Sequence, residues 1–155
     1  MLKKFFILTG ALCLVFCGLP STNIYALEED SIVNIEYLDD GTYYETILEE
    51  SVLLERSSSK SGKKTITYKS SDGTILWSVT VHGTFTYNGK SATCTKSEVS
   101  TTCPASSWRI TSSSSNRNGA DAMATATAKK YVAGKVSQTK TKIVTLHCNA
   151  SGKLS

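Results

Sequence analysis

Residues 74–87 read TILWSVTVHGTFTY, and nearly all of the bulky apolar side chains in this stretch share one parity. Successive side chains of a β-strand point to opposite faces of a sheet, so this alternation predicts a half-buried strand. The apolar set is Ile75, Trp77, Val79, Val81, Phe85 and Tyr87. The opposite parity forms a candidate binding face made of Ser78, Thr80, His82, Thr84 and Thr86.

The pair Asn88-Gly89 follows this strand and favours a two-residue type I′ turn, because both central positions of that turn need a positive φ. With such a turn, Phe85 is predicted to lie opposite Ala92 on the next strand. The apolar parity then continues across the turn through small side chains, which favours a β-hairpin at this point.

Further turn signals divide the rest of the chain into short strands. An Asp-Gly pair predicts a hairpin within residues 31–48, and an Ala-Gly pair at 133–134 predicts another between two long strands. Residues 57–64 are rich in Ser, Lys and Gly, and this composition is typical of a flexible linker or long loop. Additional strands are predicted at residues 65–70, 98–103 and 108–115.

The register of the last hairpin has two solutions. Four alanines at even positions from 122 to 128 share one parity, and a strict two-residue loop would place this column opposite Thr139, Thr141 and Ile143. A β-bulge or a longer loop near Lys129 would repair this mismatch with the apolar parity of the return strand. The pattern is compatible with both registers.

No sustained apolar period of 3.6 residues follows the N-terminal segment, and many short strands with Gly, Asn and Asp turns favour an all-β fold. For a chain of this length we expect an antiparallel β-sandwich, immunoglobulin-like in architecture. The predicted core consists of Trp77, Val79, Val81, Phe85, Val99, Trp108, Ile110, Val144 and Leu146.

The N-terminus has the pattern of a secretory signal peptide, with two lysines, a short apolar run and a small residue, Ala26, at the expected cleavage point. We expect residues 1–26 to be this signal peptide, residues 27–62 an acidic N-terminal hairpin segment with a linker, and residues 63–155 the β-sandwich domain. The product is expected to be secreted, and extracellular or loosely associated with the cell surface. No integral membrane segment is expected after cleavage; an uncleaved anchor is the alternative.

Charge is distributed unevenly along the mature chain. Residues 27–55 contain ten acidic side chains and no Lys or Arg, whereas residues 56–155 contain fifteen Lys and Arg side chains against three acidic ones. An asymmetry of this size can steer charged partners to the protein. It can also be satisfied internally if the acidic segment lies across the basic body, and we favour this second interpretation.

Three cysteines remain in the mature chain, at positions 94, 103 and 148, and an odd number outside the cell allows one bridge and one leftover thiol. Cys94 and Cys148 lie on apolar parities of well-patterned strands, so a disulfide between them is the favoured pairing. A fully reduced and buried set is the alternative. The sequence places no histidine where it would activate a catalytic thiol.

No residue pattern indicates an active site, a metal site or a cofactor. His82 and His147 lack the spacing of paired metal ligands, and their outward parity indicates isolated surface histidines. Outside the acidic segment the carboxylates are Asp72, Glu98 and Asp121, and their surroundings do not indicate a catalytic pair. The chain is therefore not expected to be an enzyme, and no cofactor is expected.

Five lysines concentrate on the last predicted hairpin and form a candidate polyanion-binding set: Lys129, Lys130, Lys135, Lys140 and Lys142. A set of this kind can bind anionic cell-wall polymers. Nucleic-acid binding is not expected, because nucleic-acid modules usually interleave aromatic and basic residues and Tyr131 is the single aromatic residue here. A solvated lysine edge that blocks strand aggregation is the alternative.

Three stretches carry a resemblance: YLDDGTYYETI at residues 37–47, LWSVTVHGTFTYNGKSATCT at 76–95, and KYVAGKVSQTKTKIVTLHCNASGKLS at 130–155. With them the chain resembles a family of small secreted β-rich proteins of unknown function from Gram-positive bacteria. The resemblance covers nearly the whole mature chain. It implies secretion and β-structure, and it implies no activity or site residue.

The function expected from these features is that of a non-enzymatic binding or cell-envelope interaction module. Its contact surface would be the Ser/Thr-rich strand face, the lysine set, or both, and its partners would be cell-wall polymers or glycans. A secreted antagonist, either a bacteriocin-like protein or an enzyme inhibitor, is the alternative.

Overall fold

The computed structural model describes residues 29–51 and 58–155, with side chains described from residue 34 onward, so the predicted signal peptide lies outside the described residues. The described part of the chain contains no helix, and thus none with the length and apolarity to cross a membrane. It forms the strands β1 Glu29–Tyr37, β2 Tyr43–Glu50, β3 Ser59–Lys69, β4 Ile75–Tyr87, β5 Ala92–Thr102, β6 Trp108–Asn118, β7 Asp121–Val132 and β8 Lys135–His147.

Two antiparallel sheets pack face to face. The five-stranded sheet has the order β1-β2-β3-β4-β5, and the three-stranded sheet has the order β6-β7-β8. The prediction of an all-β antiparallel sandwich is therefore confirmed. Consecutive strands pair throughout both sheets, so the connections are simple meanders. They differ from the Greek-key connections of immunoglobulin domains, and the likeness to those domains lies in the two-layer architecture.

The core lies between the inner faces of the two sheets. The apolar parity of β4, from Trp77 to Phe85, is fully buried, as its alternation predicts. Seven of the nine predicted core residues are buried, while Val99 and Ile110 pack against the core and stay partly exposed. An aromatic cluster at one end of the core comprises Tyr44, Tyr68, Trp77 and Trp108.

A column of alanines on β7 allows the two sheets to approach closely. The four alanines at even positions from 122 to 128 are all buried. A Cβ atom added to Gly83 on β4 would lie 3.0 Å from the Cβ of Ala122, so the two strands meet there without room for a larger side chain. Small side chains at these positions therefore set the spacing between the sheets.

The β7–β8 hairpin has the bulged register. Ala122 pairs with Leu146 and Ala124 with Val144, so the alanine column lies beside the apolar parity of β8. The register shifts at a bulge between Lys130 and Tyr131. The alternative that placed a bulge near Lys129 is therefore confirmed.

The β4–β5 hairpin differs from its predicted register, because Phe85 pairs with Cys94 instead of Ala92. The loop contains the four residues 88–91. The side-chain oxygen of Asn88 accepts hydrogen bonds from the backbone N–H groups of the last two of them, at 3.0 and 2.9 Å. The prediction of a two-residue turn at Asn88-Gly89 is wrong. Beside the loop the shift is two residues, which keeps Ala92 and Cys94 on the predicted side. A bulge between Thr84 and Phe85 then adds one more residue, so that Val99 pairs with Val81.

Strand β3 includes residues 59–64 of the segment predicted to be a linker, so that prediction is wrong for these residues. Ion pairs with the acidic strand β2 take the place of apolar alternation. The ammonium of Lys60 lies 2.6 Å from Glu50, and Lys63 forms an ion pair with Glu49. Part of the charge asymmetry is thus satisfied within the five-stranded sheet, as the favoured interpretation expected.

Candidate functional site

The candidate binding face lies on the outer surface of the five-stranded sheet, on the side away from the three-stranded sheet. Here β3, β4 and β5 are neighbours, and their hydroxyl residues fall into two rows across the strands. The first row is Thr65, Thr80 and Ser100, and the second is Thr67, Ser78 and Thr102. We call these six residues the hydroxyl face.

Hydroxyl pairs join neighbouring strands across the hydroxyl face. The Oγ1 atoms of Thr65 and Thr80 are 2.9 Å apart, and Ser78 Oγ lies 2.7 Å from Thr102 Oγ1. Ser78 and Thr80 are only 7% and 9% exposed, so these two predicted contact residues are buried instead of solvent-exposed. The hydroxyls in the middle of the surface therefore satisfy one another.

The other three residues of the predicted face, His82, Thr84 and Thr86, extend it toward the end of β4, where it is more open to solvent. Nε2 of His82 lies 3.0 Å from Ser100 Oγ, and Ser61 donates a hydrogen bond of 3.1 Å to Thr84. A depression of about 310 Å³ opens here, lined by Ser51, Ser61, Gly62, Lys63, His82, Gly83 and Thr84. It brings hydroxyl, imidazole and ammonium groups together on one surface.

Two tyrosines stand on the same outer surface at the opposite end. Tyr37 and Tyr43 pair across β1 and β2, with ring centroids 5.4 Å apart, and Tyr37 is 72% exposed. The ammonium of Lys69 lies 6.0 Å from the centre of the Tyr43 ring and donates a hydrogen bond to Glu45. This end of the surface therefore presents an exposed aromatic ring beside a charged pair.

The five lysines of the candidate polyanion-binding set do not lie on a single surface. Lys129 is on the outer parity of β7, whereas Lys130 has the parity of the buried alanines. Lys135 is exposed at the start of β8, and Lys140 and Lys142 have the parity of the buried residues at the other end of that strand. The set is therefore divided between the two faces of the hairpin.

Lys140 and Lys142 are engaged inside the molecule. The ammonium of Lys142 lies 2.7 Å from Oε2 of Glu36 and 3.9 Å from the centre of the Tyr44 ring. The ammonium of Lys140 lies 5.8 Å from the centre of the Tyr68 ring. Cation–π contacts of this kind stabilise the packing of β8 on the five-stranded sheet.

A cleft opens between the sheets where the wider five-stranded sheet extends past β8. Its volume is about 460 Å³, and its lining comprises Asn34, Glu36, Thr46, Lys64, Ile66, Lys142, Ile143, Val144 and Thr145. The sequence pattern does not predict this cleft. The sequence feature that indicates a polar opening here is Lys64, a charged residue on the inner parity of its strand, two positions from the buried Ile66.

The three cysteines are free thiols in the structure, and the predicted Cys94–Cys148 disulfide is absent from it. Cys94 and Cys148 are buried, and burial raises the pKa of all three thiols. The backbone N–H of Cys94 donates to the carbonyl of Gly119, and that of Cys148 donates to the carbonyl of Ala120. The raised pKa values keep the thiols protonated near neutral pH, whereas nucleophilic attack needs the thiolate.

His147 has a partner that its position in the sequence did not predict. Its Nδ1 atom lies 2.6 Å from Oδ1 of Asp121, and the histidine is exposed to solvent. Among the described residues, no group of three His, Cys, Asp or Glu side chains is arranged to hold a metal ion.

Comparison with known proteins gives no match: no family model, curated protein or solved structure is significantly similar to this chain. The function is therefore inferred from the surfaces and cavities described above.

Proposed function

We propose that this protein is a non-enzymatic binding module that acts outside the cell and holds a cell-envelope glycan on the outer surface of its five-stranded sheet. One observation carries the proposal: the Tyr37/Tyr43 ring pair, the hydroxyl face and the depression beside His82 all lie on that one surface. The signal-peptide pattern of residues 1–26 supports action outside the cell.

Sugars offer two kinds of contact to a protein. Their C–H faces pack on aromatic rings, and their hydroxyl edges form hydrogen bonds. Tyrosine supplies an apolar ring with a polar tip, and serine and threonine hydroxyls both donate and accept hydrogen bonds. The outer surface supplies an exposed ring at Tyr37 and hydroxyl and imidazole groups in the depression, where Lys63 is already paired with Glu49.

The shape of the surface favours an extended polymer over a compact molecule. β3 and β4 contain 11 and 13 residues. At a rise of about 3.3 Å per residue, such strands are roughly 35–40 Å long, which is several sugar rings. Between Lys69, which pairs with Tyr43, and Lys63 in the depression, the surface spans six positions of β3, or roughly 20 Å, so it can contact successive units of one chain.

The outer surface of the three-stranded sheet is a natural control, because it is also rich in hydroxyl groups. Thr127 and Thr141 pair across it, with 2.9 Å between their Oγ1 atoms. Its tyrosine, Tyr131, has a cation beside its ring as Tyr43 does: the Arg109 guanidinium lies 5.6 Å from the ring centre. Hydroxyl content alone therefore does not distinguish the two surfaces.

Retention on insoluble glycans tests the proposal. Purified protein is mixed with peptidoglycan or chitin, and the bound fraction is measured at low and high salt. We expect Tyr37→Ala and Thr86→Asp each to lower the apparent affinity about tenfold, as the loss of one good contact does. The matched control Thr139→Asp, on an exposed threonine of the other sheet, should bind as wild type.

Two results would overturn the proposal. One is equal loss of binding in the Thr86→Asp and Thr139→Asp variants, which would indicate a general charge effect. The other is the absence of wild-type retention on either glycan at low salt.

A further inference from the structure

The inter-sheet cleft contains polar groups where a sandwich normally has apolar ones. Asn34, Glu36, Thr46 and Lys64 lie on the inner parity of β1, β2 and β3, the same parity as the buried Tyr44 and Ile66. The cleft is about 460 Å³, which lies within the range of roughly 300–1,000 Å³ that small-molecule sites occupy. Its lining thus has the size and the mixed polarity of a ligand site.

Lys64 is the charged residue of the cleft lining that forms no ion pair with another described residue. In the register of the sheet it lies between two buried apolar residues, Leu48 and Val81. The ion pairs of the described residues do not include it. Lys64 is partly buried, and this burial lowers the pKa of its ammonium.

Lys142, the second cation of the cleft, is already neutralised. Its ammonium is 2.7 Å from a carboxylate oxygen of Glu36 and faces the Tyr44 ring. An incoming anion would therefore gain most from Lys64. One negative charge neutralises Lys64, and a second would face the Glu36 carboxylate without an unpaired cation of its own, so the electrostatics favour a single negative charge.

We propose that the inter-sheet cleft binds a small carboxylate-bearing ligand of about monosaccharide size, with the ligand carboxylate paired to the Lys64 ammonium. Asn34 and Thr46 supply further hydrogen-bonding groups in the same lining. A partly buried cation without a partner costs stability, and the ligand carboxylate offsets that cost. This site lies on the opposite face of the sheet from the proposed glycan surface and does not depend on it.

Glucuronate and glucose are the probes that test this site, because the two sugars differ at C6, where glucuronate has a carboxylate. The full mature chain is labelled by reductive ¹³C-methylation of its lysines, and the probes are titrated in a carboxylate-free buffer at low salt. We expect glucuronate to shift the dimethyl-lysine signal that is missing from the Lys64→Met variant. We expect glucose to leave that signal unchanged.

Calorimetry on unlabelled protein gives the second measurement. Lys64→Met should weaken glucuronate binding by about tenfold or more, since a charge-assisted hydrogen bond is lost. Lys135→Met removes an exposed lysine of β8 and should bind as wild type. Thermal melts of both variants check that each is folded.

Several outcomes would overturn the site. Glucose that binds as tightly as glucuronate would exclude carboxylate recognition, and glucose 6-phosphate that binds more tightly than glucuronate would exclude the preference for a single charge. Wild-type affinity in a folded Lys64→Met variant would show that Lys64 does not bind the ligand. Absence of any response to millimolar glucuronate would also overturn it.

Discussion

The ammonium of Lys142 on β8 lies 3.9 Å from the ring centre of Tyr44 on β2, so a cation–π contact joins the two sheets at the open edge of the sandwich. The Tyr44 ring also packs on Tyr68, with 4.9 Å between the centroids. The contact therefore links the last strand of the three-stranded sheet to the aromatic cluster of the core.

Removal of this contact should destabilise the fold. A partly desolvated cation–π contact contributes roughly 0.5–2 kcal/mol. We therefore expect Lys142→Met to lower the free energy of unfolding by about 1 kcal/mol, measured by urea denaturation. Lys129→Met, on the outer face of the same hairpin, should change it by less than about 0.5 kcal/mol. Equal effects of the two substitutions would contradict a stabilising role for the Lys142–Tyr44 contact.

Lys64→Met should have the opposite effect and stabilise the protein at neutral pH. Burial lowers the pKa of Lys64 in the folded state below its ordinary value of 10.5. The folded state therefore disfavours the ammonium, and the penalty disappears as the pH rises from the lowered pKa to about 10.5. Urea midpoints should show a variant that is more stable than wild type at pH 7, with a difference that shrinks toward pH 10. A less stable variant at pH 7 would contradict the burial penalty.

The sequence predicted the elements whose stability comes from apolar alternation. Residues 75–87 form a strand because the side chains of one parity enter the core. The apolar alternation from Trp77 to Phe85 identifies these side chains in the sequence. The composition of residues 59–64 predicts a linker although they form a strand, because ion pairs between strands stabilise them and leave no apolar period. The Lys60–Glu50 pair joins residues of two strands, so it becomes visible only when the register is known.

The alanine column supplies a third prediction. Ala126→Val should lower the free energy of unfolding by about 1–3 kcal/mol, because added methyl groups in a packed core force neighbouring side chains and backbone to shift. Thr125→Val, one residue away on the outer face, is the matched control and should cost less than about 1 kcal/mol. Equal stability of the Ala126→Val variant and wild type would show that the sheets do not meet closely at β7.

The thiols supply a fourth prediction. Cys94 and Cys148 are buried, and burial raises the pKa of both, so Ellman's reagent should label them far more slowly in the native protein at pH 8 than in urea. Three thiols per mature chain should be counted in urea without reductant. A count of one would show that a disulfide has formed and would contradict the free thiols of the structure.

The sequence predicts only part of the candidate site. The parity of β4 identified His82, Thr84 and Thr86 as surface residues, but the pairing of Ser78 and Thr80 with hydroxyls of neighbouring strands depends on the register. The five lysines are close in sequence, but the pleat and the bulge divide them between two faces. The cleft arises because five strands face three, and a local pattern does not specify how many strands each sheet contains.

The most direct test of the glycan-binding proposal is chemical-shift mapping with a soluble oligosaccharide released from the polymer that retains the protein. We expect the largest ¹H–¹⁵N shift changes at Tyr37, His82 and Thr84, on the outer surface of the five-stranded sheet. The exposed residues Thr139 and Thr141 of the other sheet should not respond. Shift changes confined to the three-stranded sheet, or the absence of changes at saturating oligosaccharide, would contradict the proposed binding surface.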